Sequence, residues 1–145
     1  MLSRPILIIG LGNPLRSDDG IGAAACEQID RLRWPAVSTI TAHQLLPETM
    51  LAMEGYKTVI ILDAAREGDE PSWQKVEAGA SGTVTISHQF DPAMLSALQG
   101  IMQAERSDIY TCVIPGEVFE HGERLSPKAL LNLQKAISLI ASKIN

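Results

Sequence analysis

"PILIIG" (Pro5–Gly10) is a continuous apolar run bounded by proline and glycine. Without polar alternation, a run this short fits a strand buried on both faces, as in a parallel sheet. The period then changes. In "GIGAAACEQIDRLRW" (Gly20–Trp34), Ile21, Ala25, Ile29 and Leu32 recur at helical spacing and predict an amphipathic helix. "VSTITAHQ" (Val37–Gln44) returns as a strand. "LPETMLAMEG" (Leu46–Gly55) predicts a short helix with Pro47 in its first turn and Gly55 as its stop.

"TVIILDA" (Thr58–Ala64) has the clearest central-strand pattern, a Val/Ile run ending in Asp63. A weak strand around Trp73–Glu77 suits a sheet edge with its charges facing water. Asp91–Glu105 is predicted helical, with Asp91 as N-cap and Pro92 at the first helical position. Asp108–Gly116 is a further strand, and Ser126–Ile144 a long helix opened by Ser126 and Pro127. Strands alternating with helices predict an α/β fold, a twisted and mostly parallel sheet of about five strands with helices on both faces. No repeat or linker divides the 145 residues, so a single domain over 1–145 is expected.

Composition narrows the function classes. The hydrophobic share of 46% and charged share of 20% are those of an ordinary soluble globular protein. A formal net charge of −5 argues against a nucleic-acid partner, which generally requires a basic patch. Cys26 and Cys112 have neither CxxC nor metal-ligand spacing and read as buried free thiols in a reducing compartment. "MLSRPILIIGLGN" lacks the apolar core and cleavage site of a signal peptide, and no stretch is long enough to span a bilayer. A cytoplasmic, membrane-free protein is expected, with a monomer as the default.

In parallel sheets ligands bind outside the carboxyl ends of the strands. "GLGNPLRSDDGIG" (Gly10–Gly22) lies there, as do Asp63 and His88 of "SHQFDP". The loop opens like a phosphate cradle yet carries Asp18 and Asp19, so its ligand is expected to be a cation. Asp19, Asp63 and His88, drawn from separate loops, form an oxygen, oxygen, nitrogen set suited to a divalent transition metal with open positions. One of the two adjacent aspartates is expected to cap the following helix, Asp18 taking the structural role and Asp19 the chemical one. Blander readings exist for each: Asp63 as a loop acid and His88 as a surface histidine. His43 and Glu48 of "HQLLPE" sit near the same edge as substrate-contact candidates; Glu48 also suits the first turn of a helix, and His43 a polar strand end. Arg16 suits an ion pair with its acidic neighbours, or the docking of a peptide carboxyl group.

Four segments, "GLGNPLRSDDGIG", "VIILDA", "SHQFDPAMLSAL" and "IPGEVFEHGERLSP", resemble in order the nickel–iron hydrogenase maturation proteases. The resemblance spans nearly the whole chain. It implies a phosphorylase/hydrolase-like three-layer fold. It also implies an endopeptidase, aspartic-type by family classification, that removes a C-terminal extension from the hydrogenase large-subunit precursor after nickel insertion. The family's metal contacts fall on Asp19, Asp63 and His88, and the nickel is expected to be borne by the substrate, with other divalent metals able to occupy the same site. Two departures stand out. Many members carry an Asp-Gly-Gly-Thr-x-Gly-type loop where this chain has "HQLLPE", and the Asp91–Glu105 segment lacks the Tyr-Gly pair often found there. The first variant looks like the branch serving bidirectional or cofactor-reducing soluble hydrogenases.

Rival readings fit less well. Peptidyl-tRNA hydrolases share a "GLGNPG" opening, but need a histidine, an asparagine and a basic surface where this acidic chain reads "RSDDGIG". A dinucleotide fold asks for a third glycine at the helix start, where this chain has Leu15, and the aspartates would repel a pyrophosphate. The alternative from another class is a maturation or chaperone-like module that binds the large subunit without cutting it.

Overall fold

A computed structural model describes residues 1–77 and 90–145. Its elements run β1 (Ile6–Leu11), a 3-10 turn (Ser17–Gly20), α1 (Ile21–Leu32), β2 (Val37–Ala42), α2 (Thr49–Met53), β3 (Thr58–Ala65), β4 (Ser72–Lys75), α3 (Pro92–Met102), β5 (Asp108–Pro115) and α4 (Pro127–Ile144). Among the described residues they form a five-stranded sheet in the order β2-β1-β3-β5-β4. The first four strands in that order are parallel, and β4 closes one edge antiparallel to β5.

Two cores follow from the side-chain alternation of the strands. Ile6 and Ile8 of β1 cluster with Ile60, Leu62, Cys112 and Ile114 against α1 and α4. Leu7, Ile9 and Leu11 turn the other way, joining Val59, Ile61 and Ile109 against α2 and α3. A sheet covered on both faces therefore makes an unbroken apolar run of β1, as its sequence implies. Both cysteines are buried and free. Burial pushes the Cys112 thiol up to about 11; burial and the charge of Asp30 push Cys26 up to about 12, so both stay protonated and unreactive.

The expected caps are present. Asp91 Oδ1 accepts from the Met94 N–H at 2.8 Å, and Ser126 Oγ accepts from the Ala129 N–H at 3.1 Å. Several boundaries shift. α1 stops at Leu32 because Arg33 takes a left-handed conformation (φ 52°), and Pro35 bars Trp34 from helical geometry. α2 starts only at Thr49, whose Oγ1 accepts from the Leu46 N–H at 3.0 Å; Pro47 thus lies ahead of the helix rather than in its first turn. Gly55 does end that segment, at φ 86°. The edge strand runs Ser72–Lys75 instead of Trp73–Glu77, with Trp73 stacked on Tyr110 at 5.1 Å between centroids. Among the described residues no helix is long and apolar enough to cross a membrane.

Candidate functional site

The chain passes from β1 to β2 on one side and returns to β3 on the other, so β1 and β3 flank the topological switch point. Register fixes what lies there. Pairing of β1 with β3 ends at Gly10 and Leu62, whereas β3 continues beside β5 through Asp63–Val113, Ala64–Ile114 and Ala65–Pro115. Asp63 is therefore not the last residue of its strand. It is the first whose β1 side is open, because β1 leaves the sheet to form the loop that carries Asp19.

That loop folds back on its own start. Gly12 has φ 123°, and a Cβ there would collide with the carbonyl oxygen of Asp19. The Gly12 N–H donates to the Ala42 carbonyl at 3.0 Å, and the Asn13 N–H donates to Asp19 Oδ2 at 2.7 Å. A Gly12→Ala variant is expected to lose roughly 2 kcal/mol or more from backbone strain and this collision. Urea titration measures the loss; unchanged stability would contradict the tight approach.

Asp19 is half-buried, and Asp63 opens to solvent at the sheet edge. The surrounding protein nonetheless pushes the Asp63 carboxyl up. Its desolvation is the main cause, the Ala64 N–H (2.9 Å from Oδ1) counteracts it, and the charge of Asp19 raises it further. Two carboxylates thus repel one another at the switch point, and among the described residues no cationic side chain lies within 4 Å of either. Such a pair fits a divalent cation, which would turn the repulsion into attraction.

Asp18 has a different part. It is fully buried, and its carboxylate accepts from the Glu117 N–H (2.8 Å), the Val118 N–H (2.9 Å), the Ser126 N–H (2.8 Å) and the Ser126 hydroxyl (2.6 Å). Burial alone would raise its pKa, but these four donors together hold it below the ordinary carboxylate value. Neither aspartate caps α1, contrary to the sequence expectation; the N-cap is Gly20, with no side-chain hydrogen bond. Asp18 reaches instead across the molecule to the segment 116–126.

The sequence singles out that segment but assigns it no role. It grips the first loop along its length. Ser17 N–H donates to the Gly122 carbonyl (2.7 Å), Asp18 N–H to Val118 (2.8 Å) and Gly122 N–H to Leu15 (2.8 Å), while Ser17 Oγ donates to Glu120 (2.8 Å). Gly116 is required by close approach, since a Cβ there would lie 2.6 Å from Asp18 Cβ. Ser126 is readable in the sequence as a cap, but its second bond, to a residue 108 positions earlier, leaves no local signal.

His88 lies outside the described residues. Among those described, no three metal-ligating side chains gather as a group. His43 follows Ala42, the partner of Leu11 in β1, and is exposed beside the first loop; Glu48 is exposed just before α2. Arg16 is exposed and forms a backbone bridge to Gly122. The ion pairs among the described residues are Arg31–Glu27, Lys75–Asp108 and Lys135–Glu70, so the expected pairing of Arg16 with its acidic neighbours is not formed there.

No family model matches the chain, and no curated protein matches it. Solved structures do. The hydrogenase maturating endopeptidase HybD from E. coli aligns with a TM-score of 0.77 at 20% identity, covering 96% of this chain and 91% of its own. A hydrogenase 2 maturation peptidase from a Thaumarchaeota archaeon gives 0.73 at 18% identity, covering 98% and 99%. The [NiFe] hydrogenase maturation protease HybD from Thermococcus kodakarensis gives 0.67 at 21%, covering 96% and 97%. At these identities the likeness is one of architecture. The chain has the α/β fold of the hydrogenase maturation endopeptidases.

Proposed function

We propose that this protein is an endopeptidase that removes the C-terminal extension of a nickel–iron hydrogenase large-subunit precursor, recognising the nickel already seated there. The observation that carries the reading is the Asp19–Asp63 pair at the β1/β3 switch point, mutually repelling and without a cationic side chain among the described residues. The fold shared with hydrogenase maturation endopeptidases supports the same reading.

On this reading Asp19, Asp63 and His88 complete the coordination of the substrate's nickel, and His43, Glu48 and Arg16 contact the precursor chain. Hydrolysis requires a water to add to the scissile carbonyl carbon, the C–N bond to break, and the departing amine to receive the proton the water loses. Nickel held there by the precursor, Asp19, Asp63 and His88 would supply Lewis acidity toward the carbonyl or the water. A carboxylate oxygen of Asp63 not engaged by the nickel is placed to take up the water's proton and pass it to the departing amine. The protein acts as a single domain, a cytoplasmic monomer whose partner is the precursor and not a nucleic acid or a membrane.

The test is incubation with nickel-loaded and nickel-free precursor, followed by mass measurement of the large subunit. Only the loaded precursor is expected to shorten. Equal cleavage of both would overturn nickel recognition. Stable binding without any change of mass would identify a non-cleaving docking module instead.

A further inference from the structure

We infer that Ser126 is a positioning residue for the reaction, acting through Asp18 to fix the placement of Asp19 beside Asp63. This rests on the function proposed above and adds a distant control point to it. Ser126 stands at a junction. Its Oγ accepts from the Ala129 N–H at the start of α4 and donates to Asp18 Oδ2 at 2.6 Å. Helix α4 is anchored in the core by Ala129, Leu133, Ala136, Ile140 and Ile144, each at most 1% exposed. The hydroxyl therefore transmits the position of a rigid element to a carboxylate with no solvent exposure of its own.

Asp19 follows Asp18 directly in the chain and has little freedom of its own. The Asp19 N–H donates to the Arg16 carbonyl at 3.1 Å, its own carbonyl rests against Gly12, and its carboxylate is met by the Asn13 N–H. A fully satisfied buried polar network of this kind specifies one geometry where apolar contacts would accept several. Loop stability alone does not require an ionic anchor, since apolar burial serves that purpose at least as well. The anchor's effect is to place the neighbouring residue.

Four full-length proteins test this: the parent, Ser126→Ala, Ser126→Thr and Gln99→Ala. Gln99 belongs to a buried network with Ser107 and Gln103 at the amino ends of β3 and β5, the opposite edge of the sheet. It serves as a control for lost stability. Two readouts are taken: kcat and KM for cleavage of nickel-loaded precursor, and hydrogen exchange at the Asn13 amide. Ser126→Ala is expected to lower kcat by about tenfold to a hundredfold with little change in KM, since small misplacements of reacting groups cost that much. Asn13 should exchange faster by a comparable factor. Ser126→Thr, which keeps the hydroxyl, is expected to restore both, and Gln99→Ala to keep the parental kcat.

Parental kcat and Asn13 protection in Ser126→Ala would overturn the inference, as would an equal slowing in Gln99→Ala. If Ser126→Ala fails to fold, Ser126→Gly carries the same expectations, because glycine caps a helix with only a small penalty. A parent that cuts nothing would sink the proposed function, yet the exchange readout would still decide whether Ser126 positions Asp19.

Discussion

Asp18→Ala is expected to lower folding stability by about 3–5 kcal/mol at neutral pH, a large part of the total for a domain of this size. The substitution strips four hydrogen bonds from the segment 116–126 and leaves the N–H groups of Glu117, Val118 and Ser126 without their acceptor. The effect has a pH signature. The folded-state pKa of Asp18 is depressed below its ordinary 3.8, so its contribution is present above that value and is lost as pH falls through the folded pKa. Urea titrations of parent and variant at pH 7 and at progressively lower pH should show a gap that is constant near neutrality and narrows only in acid, as the carboxylate is protonated. A gap of less than about 1 kcal/mol at pH 7 would contradict the anchoring role.

Asp63→Asn should separate stability from activity in opposite directions. Loss of a carboxylate that carries a proton is expected to slow cleavage of nickel-loaded precursor by at least about a hundredfold. The same change should raise thermal stability at pH 7. The sign follows from the direction of the shift: the folded pKa is raised, so the fold disfavours the ionised form. That penalty is complete above the folded pKa and disappears below the unfolded value. The gain from asparagine is therefore greatest near neutrality and vanishes in acid. Calorimetry at pH 7 and pH 3 alongside the mass assay checks both halves. A variant that cleaves at the parental rate, or that is destabilised at pH 7, would remove Asp63 from the proposed site.

Much of the architecture was legible in the sequence because burial writes itself locally. β1 and β3 are covered on both faces and so appear as unbroken Ile, Val and Leu runs. Asp91–Pro92 and Ser126–Pro127 announce their helices because a capping oxygen and a fixed φ act within four residues. Boundaries were less legible where neighbours decide them. The continuation of β3 past Asp63 depends on β5, which supplies partners through Pro115, and nothing in "VIILDA" records that partner. The assignment of Asp18 to structure agrees with the geometry, but the means does not: Asp18 holds a distant loop and caps no helix. Long-range hydrogen bonds of that kind have no period and no spacing, so only folded coordinates reveal them.

The separation between Asp18 and its donors also dictates an order of assembly. At roughly 5–20 residues per second of synthesis, the 108 positions between them take about 5–20 s to translate. Throughout that interval the nascent acid is hydrated and its loop untethered, even if β1, α1 and β2 have already met. The rim of the sheet thus sets last, when the final helix docks, and a chain halted before that point holds its acidic side chains without the frame that aims them.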